Sequence, residues 1–172
     1  MEIYRWIVLL SVLGCTSGKV VYDYDVKTDF KKFKTFNFYD DVGGGLNELD
    51  IKRATVIIEK QLVDRGFQKS ETPDFLINFI SNRTESTDTN NVGIGVGGGN
   101  RVGFGISGGI AIGAKKEYEE FIVEFVNTEN NQLFWQGISS KKVKVKMSPE
   151  EKERYRQLIV EKIFEKYPPS QK

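Results

Sequence analysis

The chain has 172 residues, of which 39% are apolar and 28% charged, a composition typical of one globular domain. Its 25 lysines and arginines against 24 acidic residues leave a net charge of +1, which excludes the strongly basic surface of a nucleic-acid-binding protein. The chain has no histidine and one cysteine, Cys15, so it lacks the commonest general base and cannot form an intramolecular disulfide. We therefore expect a protein that is not an enzyme, with no metal, no cofactor and no nucleic-acid partner.

The first fifteen residues have the pattern of an export signal. Arg5 precedes an apolar run at residues 6–13, which is too short to span a bilayer and about as long as a signal-peptide core. The run ends in Leu13-Gly14-Cys15, which resembles a bacterial lipobox. In a lipobox the cysteine receives diacylglycerol on its sulfur, cleavage before it frees its amine, and that amine is acylated. We predict cleavage between Gly14 and Cys15 and lipidation of Cys15.

Lipidation would fix the location of the mature protein. Two or more acyl chains on one cysteine anchor a protein stably, whereas a single chain binds a membrane only marginally. Thr16 follows the cysteine where an aspartate would commonly retain a lipoprotein in the inner membrane. We therefore expect a membrane partner through Cys15, at the periplasmic face of the outer membrane.

Apolar periodicity predicts five strands after a short tether at residues 15–19. Tyrosine alternates with aspartate at residues 20–25, and a second strand is expected at 35–39, before three consecutive glycines. Residues 74–80 are apolar on both sides, as in a central strand. Residues 115–127 alternate, with Phe121, Val123 and Phe125 on one side. The chain then turns and returns antiparallel through residues 133–147.

Two helices are predicted, each from its own start signal. Asn47 can cap a helix over residues 48–65, and Ser148 with Glu151 forms a capping box at the start of a helix that Pro168 ends. Each helix has one apolar stripe for the core. The first stripe consists of Ile51, Ala54, Ile57, Ile58 and Leu62. The second consists of Tyr155, Leu158, Ile159, Ile163 and Phe164.

Glycine alternates with aliphatic residues between residues 92 and 113. Two GxGxxG patterns begin at Gly93 and Gly103, but neither lies between a parallel strand and a helix, so we expect no nucleotide to bind. Interior glycines weaken strands and leave their register poorly fixed. We predict a flexible Gly-rich insert, with contact between its apolar residues and the bilayer or a partner as the alternative.

Two groups of carboxylates leave other chemistry open. Asp23, Asp25 and Asp29 could bind a hard cation, although they lack the central glycine and closing glutamate of a calcium loop. Glu120 and Glu124 lie on one side of a strand and could form a glycosidase-like pair. We expect instead a solvated face on which these glutamates meet lysines across the sheet. The lysines are Lys142, Lys144 and Lys146.

These elements predict an α+β domain with two layers, in which a mostly antiparallel sheet of about five strands carries both helices on one face. That arrangement buries every apolar stripe. The predicted organisation is a lipoprotein signal peptide at residues 1–14, a lipidated tether at 15–19, and a single domain at 20–169 that contains the Gly-rich insert.

Several short motifs resemble those of a known family. The most specific are Asp29-Phe30 with Lys34-Thr35-Phe36, Arg65-Gly66-Phe67, and Trp135-Gln136-Gly137. In this order after a lipobox, they resemble domain-of-unknown-function family 4136, which comprises lipoproteins and exported proteins of Gram-negative bacteria. The resemblance covers nearly all of the mature chain and implies an envelope protein. It transfers no catalytic residue, because the family has no established activity.

Two functions follow as expectations. The first is a lipid-anchored structural or protein-interaction module of the cell envelope with a protein partner. The alternative is a lipoprotein that binds a small ligand or lipid in a pocket between the sheet and the Gly-rich segment. The residues leave the oligomeric state open.

Overall fold

The computed structural model describes residues 19–86 and 116–169. The strands in these residues are β1 (Lys19–Tyr24), β2 (Thr35–Phe38), β3 (Gln68–Lys69), β4 (Phe75–Ser86), β5 (Lys116–Asn127) and β6 (Gln132–Val143). The helices are α1 (Glu48–Val63) and α2 (Pro149–Phe164), and a short 3₁₀ turn covers Phe30–Lys32. The predicted Gly-rich insert and its flexibility lie outside the described residues.

The six described strands form one mixed sheet in the order β1-β6-β5-β4-β2-β3. Strand β2 pairs parallel with both β3 and β4, whereas β1, β6, β5 and β4 pair antiparallel. The prediction of a mostly antiparallel sheet of about five strands is therefore wrong. The sheet is mixed because α1 connects β2 to β4, and such a crossover returns the chain in the same direction. The strand that the prediction did not include is β3, which has only two residues and therefore gives no periodic signal.

Both helices begin where their capping residues predict. Asn47 accepts a hydrogen bond from the Asp50 N–H at the start of α1, and Gly66 with a φ of 88° follows its end. Ser148 and Glu151 form a complete capping box at α2. The predicted stripe of α1 faces the core, but Leu158 of α2 is 52% exposed. Arg156 is buried in its place, at 4% exposure.

The core lies between the helices and one face of the sheet. Phe75, Phe125 and Trp135 on the strands are fully buried together with Phe164 on α2. Helix α2 approaches β6 closely at Gly137, where a Cβ would overlap Ile163 and the Trp135 ring. Beside β4, Gly45 has a φ of 80°, and a Cβ there would overlap the Ser81 carbonyl oxygen. The glycines after β2 therefore run along β4 instead of only ending a strand.

Candidate functional site

The second face of the sheet has no helix packed on it in the described part of the chain, and we call it the open face. Side chains alternate along each strand, so residues between the buried core positions point to this face. From the level of Ile80 to the β5–β6 turn its members are Val21, Asp23, Asn37, Leu76, Asn78, Ile80, Ile122, Glu124, Val126, Leu133, Gln136 and Ile138. Seven of these twelve residues are aliphatic, and they form an apolar area on a face that no helix of the described residues covers. Toward the other end of the strands the same face is polar and exposed, with Asn82, Glu120, Ser140 and Lys142.

The aliphatic residues of the open face form rows across the strands. Ile80 pairs with Ile122, Ile122 with Ile138, and Ile138 with Val21, so one row crosses β4, β5, β6 and β1. The interior members are half-buried by their neighbours, whereas Val21 at the end of the row is 49% exposed. This continuous row is the kind of surface that another molecule could cover.

A hydrogen-bonded polar row lies between the aliphatic residues. The Asn78 amide donates to Glu124 Oε2 at 3.0 Å, and the Gln136 amide donates to Glu124 Oε1 at 2.9 Å. Both carboxylate oxygens are therefore engaged by neighbouring strands. This row orders the side chains of three strands at the centre of the open face.

Strand β1 borders the open face as an edge strand of the described sheet. It pairs on one side with β6 over Lys19–Tyr24, from Lys19 opposite Ser140 to Tyr24 opposite Trp135. An edge strand presents alternate backbone N–H and C=O groups that can pair with a further strand. The open face is thus continuous with a backbone edge that can accept hydrogen bonds from a partner and donate them.

A buried ion pair lies on the other side of the sheet, between β5 and α2. Glu119 is fully buried and its Oε1 accepts hydrogen bonds from Ser81 Oγ at 2.6 Å and Arg156 Nη2 at 3.0 Å. Arg83 Nε stands 3.6 Å from the same oxygen. The guanidinium carbon of Arg156 lies 4.1 Å from the centroid of the Phe121 ring, a cation–π contact. The pair therefore ties the second helix to the sheet.

The surroundings of Glu119 keep it charged. Burial alone would raise the pKa of this carboxyl, but the Arg156 charge and the hydrogen bonds from Ser81 and Arg156 hold that pKa below its ordinary value. Burial and the adjacent Glu119 charge raise the pKa of Tyr155 well above its ordinary value. A carboxylate stabilised in this way is a poor proton donor or acceptor near neutral pH, so its arrangement fits a structural role.

A shallow cleft of 330 Å³ opens at the far end of the sheet, near the β5–β6 turn. Polar residues of three loops surround it, among them Asp25, Asp29, Asp74 and Asn130. Asp74 accepts backbone hydrogen bonds from Lys34 at 2.7 Å and Thr35 at 2.8 Å. Burial would raise the pKa of Asp74, but these hydrogen bonds hold it below its ordinary value. The polar lining does not suit an acyl chain.

The three aspartates considered as an alternative cation site do not form one in the described residues. Asp23 accepts from the Tyr24 N–H within β1, Asp25 from the Lys27 N–H and Asp29 from the Lys31 N–H, so each carboxylate is engaged by nearby backbone. Asp25 and Asp29 line the cleft, whereas Asp23 is not part of its lining. The described residues contain no group of three or more potential metal ligands.

The predicted glutamate and lysine face takes a different form. Glu120 lies opposite Asn82 and Ser140, and Glu124 contacts amides instead of lysines. Lys142 lies opposite Tyr118, and Lys144 reaches Glu151 at 2.8 Å. The predicted contacts between glutamates and lysines across the sheet are therefore absent from the described strands. Strand β6 ends at Val143, before the charged alternation does.

Sequence reasoning missed the buried pair of Glu119 and Arg156. One signal was present: Arg156 occupies a position one turn before Ile159 and Val160 on the face of α2 that meets the core. An arginine within an apolar stripe calls for a buried acidic partner. The predicted lipidation site, Cys15 with Gly14, lies outside the described residues.

Fold and site together define a small α+β domain whose mixed sheet has helices packed on one face and, within residues 19–86 and 116–169, no helix on the other. The sequence profile of the family described as "Domain of unknown function (DUF4136)" matches residues 20–169. The chain belongs to this family, which confirms the resemblance of its motifs. No curated protein matches the chain in sequence.

Solved structures of low sequence identity share the fold. A PDZ domain protein from Parabacteroides distasonis superposes with a TM-score of 0.57 at 16% identity, over 89% of this chain and 36% of that protein. This chain thus spans about a third of that relative. A dodecamer of a singly substituted PelC from Paraburkholderia phytofirmans superposes with a TM-score of 0.51 at 9% identity, over 86% of this chain and 95% of PelC. These similarities establish the fold and no activity.

Among residues 19–86 and 116–169 there is no helix that could span a membrane. Neither α1 nor α2 combines the length and the apolar character that crossing a bilayer requires.

Proposed function

We propose that this protein is a lipid-anchored, non-catalytic interaction module of the bacterial cell envelope, held by Cys15 at the periplasmic face of the outer membrane. The observation that carries the interaction role is the open face, where an aliphatic row from Ile80 to Val21 runs into the edge strand β1. The lipobox-like ending at Gly14-Cys15 supports the anchor, and Thr16 supports the outer membrane.

The chemistry of the domain supports a role in binding rather than catalysis. The Glu124 carboxylate is held by two amides, and the Glu119 carboxylate by Arg156 and Ser81. The cleft near the β5–β6 turn is polar, so it gives no support to a lipid-binding pocket. An aliphatic row beside β1, the edge strand of the described sheet, suits a protein surface that can bury the row and extend the sheet.

A second copy of this chain is the first protein partner to consider. PelC, which shares the fold, is described as a dodecamer in both of its solved forms with TM-scores of 0.51 and 0.50. The open face could bury the row of Ile80, Ile122, Ile138 and Val21 against a neighbouring molecule. A different envelope protein on the same surface would be distinguished by the mass of the complex.

The anchor is tested by intact mass. Protein purified from membranes should have the mass of residues 15–172 plus acyl chains, and a Cys15→Ala variant should keep its signal peptide or lose its membrane attachment. An unmodified, soluble protein with a free Cys15 thiol would contradict the anchor.

The interface is tested by a matched pair of valine substitutions. Val21 on the open face and Val56 on α1 are 49% and 58% exposed, so a lysine at either position is tolerated by the fold. Val21→Lys should reduce chemical cross-linking to the partner or to a second copy in envelope preparations, whereas Val56→Lys should leave it unchanged. Equal effects of the two substitutions would contradict an interface on the open face.

A further inference from the structure

The tether between the proposed lipid anchor and the domain is short. Strand β1 begins at Lys19, four residues after Cys15. A fully extended chain covers at most about 3.6 Å per residue, so the Lys19 backbone stays within about 14 Å of the anchored cysteine. This limit holds for every conformation of the tether, and it restricts which part of the domain can face the bilayer.

The strand register locates the Lys19 end within the molecule. Lys19 lies opposite Ser140, Ser140 opposite Glu120, and Glu120 opposite Asn82, which together form one row across four strands. Beyond this row β4 and β5 continue as a ribbon to Ser86 and Lys116, and β6 follows β5 as far as Val143, opposite Glu117. We call the row and the described residues beyond it on β4, β5 and β6 the tether pole. The ribbon adds four residues, or about 13 Å, past Lys19.

The tether and the ribbon have matching lengths. A tether of at most about 14 Å is long enough for the end of a ribbon of about 13 Å to meet the membrane surface when the strands stand upright on the bilayer. The opposite end of the sheet, at the cleft and the β5–β6 turn, starts at Gln132, eight residues from Ser140. That distance is about 27 Å, so the tether is too short for the cleft end to face the membrane while Cys15 remains anchored.

The tether pole also carries side chains that suit the headgroup region. Tyr118 on the ribbon is 45% exposed and lies opposite the exposed Lys142 of β6. Tyrosine and lysine are both favoured where a protein meets the interface between lipid and water. The acidic residues Glu85 and Glu117 lie on the same ribbon. Net charge therefore contributes little, and the tether length carries the argument because it excludes contact between the cleft end and the bilayer.

We infer that the domain stands on the bilayer with its tether pole in contact with the lipid headgroups and its cleft directed away from the membrane. This inference rests on the proposed lipidation of Cys15. In this orientation the strands run roughly along the membrane normal. The open face therefore stands perpendicular to the membrane plane. The partner of the open face is then a neighbour anchored in or lying on the same membrane.

Single engineered cysteines can test the orientation, because acylation blocks the chain's only native thiol. The full chain purified from membranes would carry a fluorophore at Thr84→Cys on the ribbon, at Glu129→Cys in the β5–β6 turn, or at Val56→Cys on α1. All three positions are exposed. Each labelled protein would be reconstituted into vesicles of phosphatidylethanolamine and phosphatidylglycerol that contain a phospholipid with a nitroxide on its headgroup.

The expected result is severalfold stronger quenching at Thr84→Cys than at the other two positions. Similar quenching at Thr84→Cys and Glu129→Cys, or the strongest quenching at Val56→Cys, would overturn the inference in favour of a domain lying on its side. Absence of quenching at all three positions would overturn it as well. The intact mass of each preparation shows separately whether Cys15 is acylated. An acylated protein with the wrong quenching pattern refutes the orientation alone. An unacylated protein refutes the proposed function.

Discussion

The two faces of the sheet are built by the same strands and have different chemistry. Along β5, Phe121, Val123 and Phe125 pack under the helices, while Ile122 and Glu124 between them lie on the open face. The covered face is dominated by aromatic rings, whereas the middle of the open face carries aliphatic residues around a hydrogen-bonded polar row. The covered face packs against α1 and α2, and no helix of the described residues covers the open face.

The two ends of the covered face are stabilised by different kinds of interaction. Near the cleft, Phe75, Phe125, Phe134 and Trp135 contact one another at centroid distances of 4.7 to 6.1 Å. At the tether pole the aromatic packing gives way to the buried pair of Glu119 and Arg156. Aromatic packing stabilises by area and dispersion, but a buried pair stabilises only while both partners are present.

The largest expected loss follows removal of a ring from the covered face. Phe125→Ala should lower the free energy of unfolding by about 4 kcal/mol, because it leaves a cavity between Trp135 and Phe75. Tyr118→Ala, on the exposed side of the same strand, should cost less than about 1 kcal/mol. Urea unfolding of both variants measures the difference. Comparable losses would mean that the two faces do not differ as described.

Breaking the buried pair should cost slightly less. Arg156→Met keeps most of the side-chain volume but leaves the Glu119 carboxylate buried without its cation, at an expected cost of about 3 kcal/mol. Adding Glu119→Leu to Arg156→Met should restore most of the loss, since two apolar side chains replace the pair. A double variant as unstable as Arg156→Met alone would show that packing, and not the unpaired charge, accounts for the loss.

The same pair predicts an acid dependence of stability. The folded protein holds the pKa of Glu119 below its ordinary value of 4.5, so the stabilisation is present above that pH and is lost as the pH falls through the folded pKa. Thermal unfolding between pH 6 and about pH 3 should therefore show a steeper loss in the wild type than in the Glu119→Leu/Arg156→Met variant. Asp50 and Asp74, whose pKa values are also lowered, remain in both proteins and cancel in the comparison. Equal slopes would contradict the prediction.

The smallest effect on stability is expected at the centre of the open face. Glu124→Leu removes the acceptor of two amides, but Asn78 and Gln136 are only half-buried and can hydrogen-bond to water instead. The free energy of unfolding should change by less than about 1 kcal/mol in urea titrations. A loss as large as that of Phe125→Ala would mean that the polar row holds the fold together and is not available for recognition.

Helix starts and core positions were largely predictable from sequence because their signals are local. Asn47 and Ser148 cap the helices as expected, and the alternation around Phe121 and Phe125 assigns the faces of β5. The family was predictable from its short motifs. Each of these depends on residues only a few positions apart.

The features that sequence missed depend on distant partners. The parallel pairing of β2 with β4 follows from the path of α1, and the two residues of β3 form a strand through their pairing with β2. Arg156 is buried where Leu158 was predicted to be, because it pairs with Glu119, which lies 37 residues earlier in the chain. The lysines predicted to meet Glu120 and Glu124 failed to do so because the register across β6 is fixed by its pairing with β5.

Photo-cross-linking from the open face tests the central claim most directly. A photoreactive amino acid at Ile138, in the middle of the aliphatic row, would be compared with one at Val56 on α1, in cells that produce the full chain. An interface on the open face predicts a discrete adduct from position 138, either at twice the protein's mass or at the mass of one recurrent envelope protein, and none from position 56. Absence of an adduct at position 138, or the same adducts from both positions, would contradict the open face as the interaction surface.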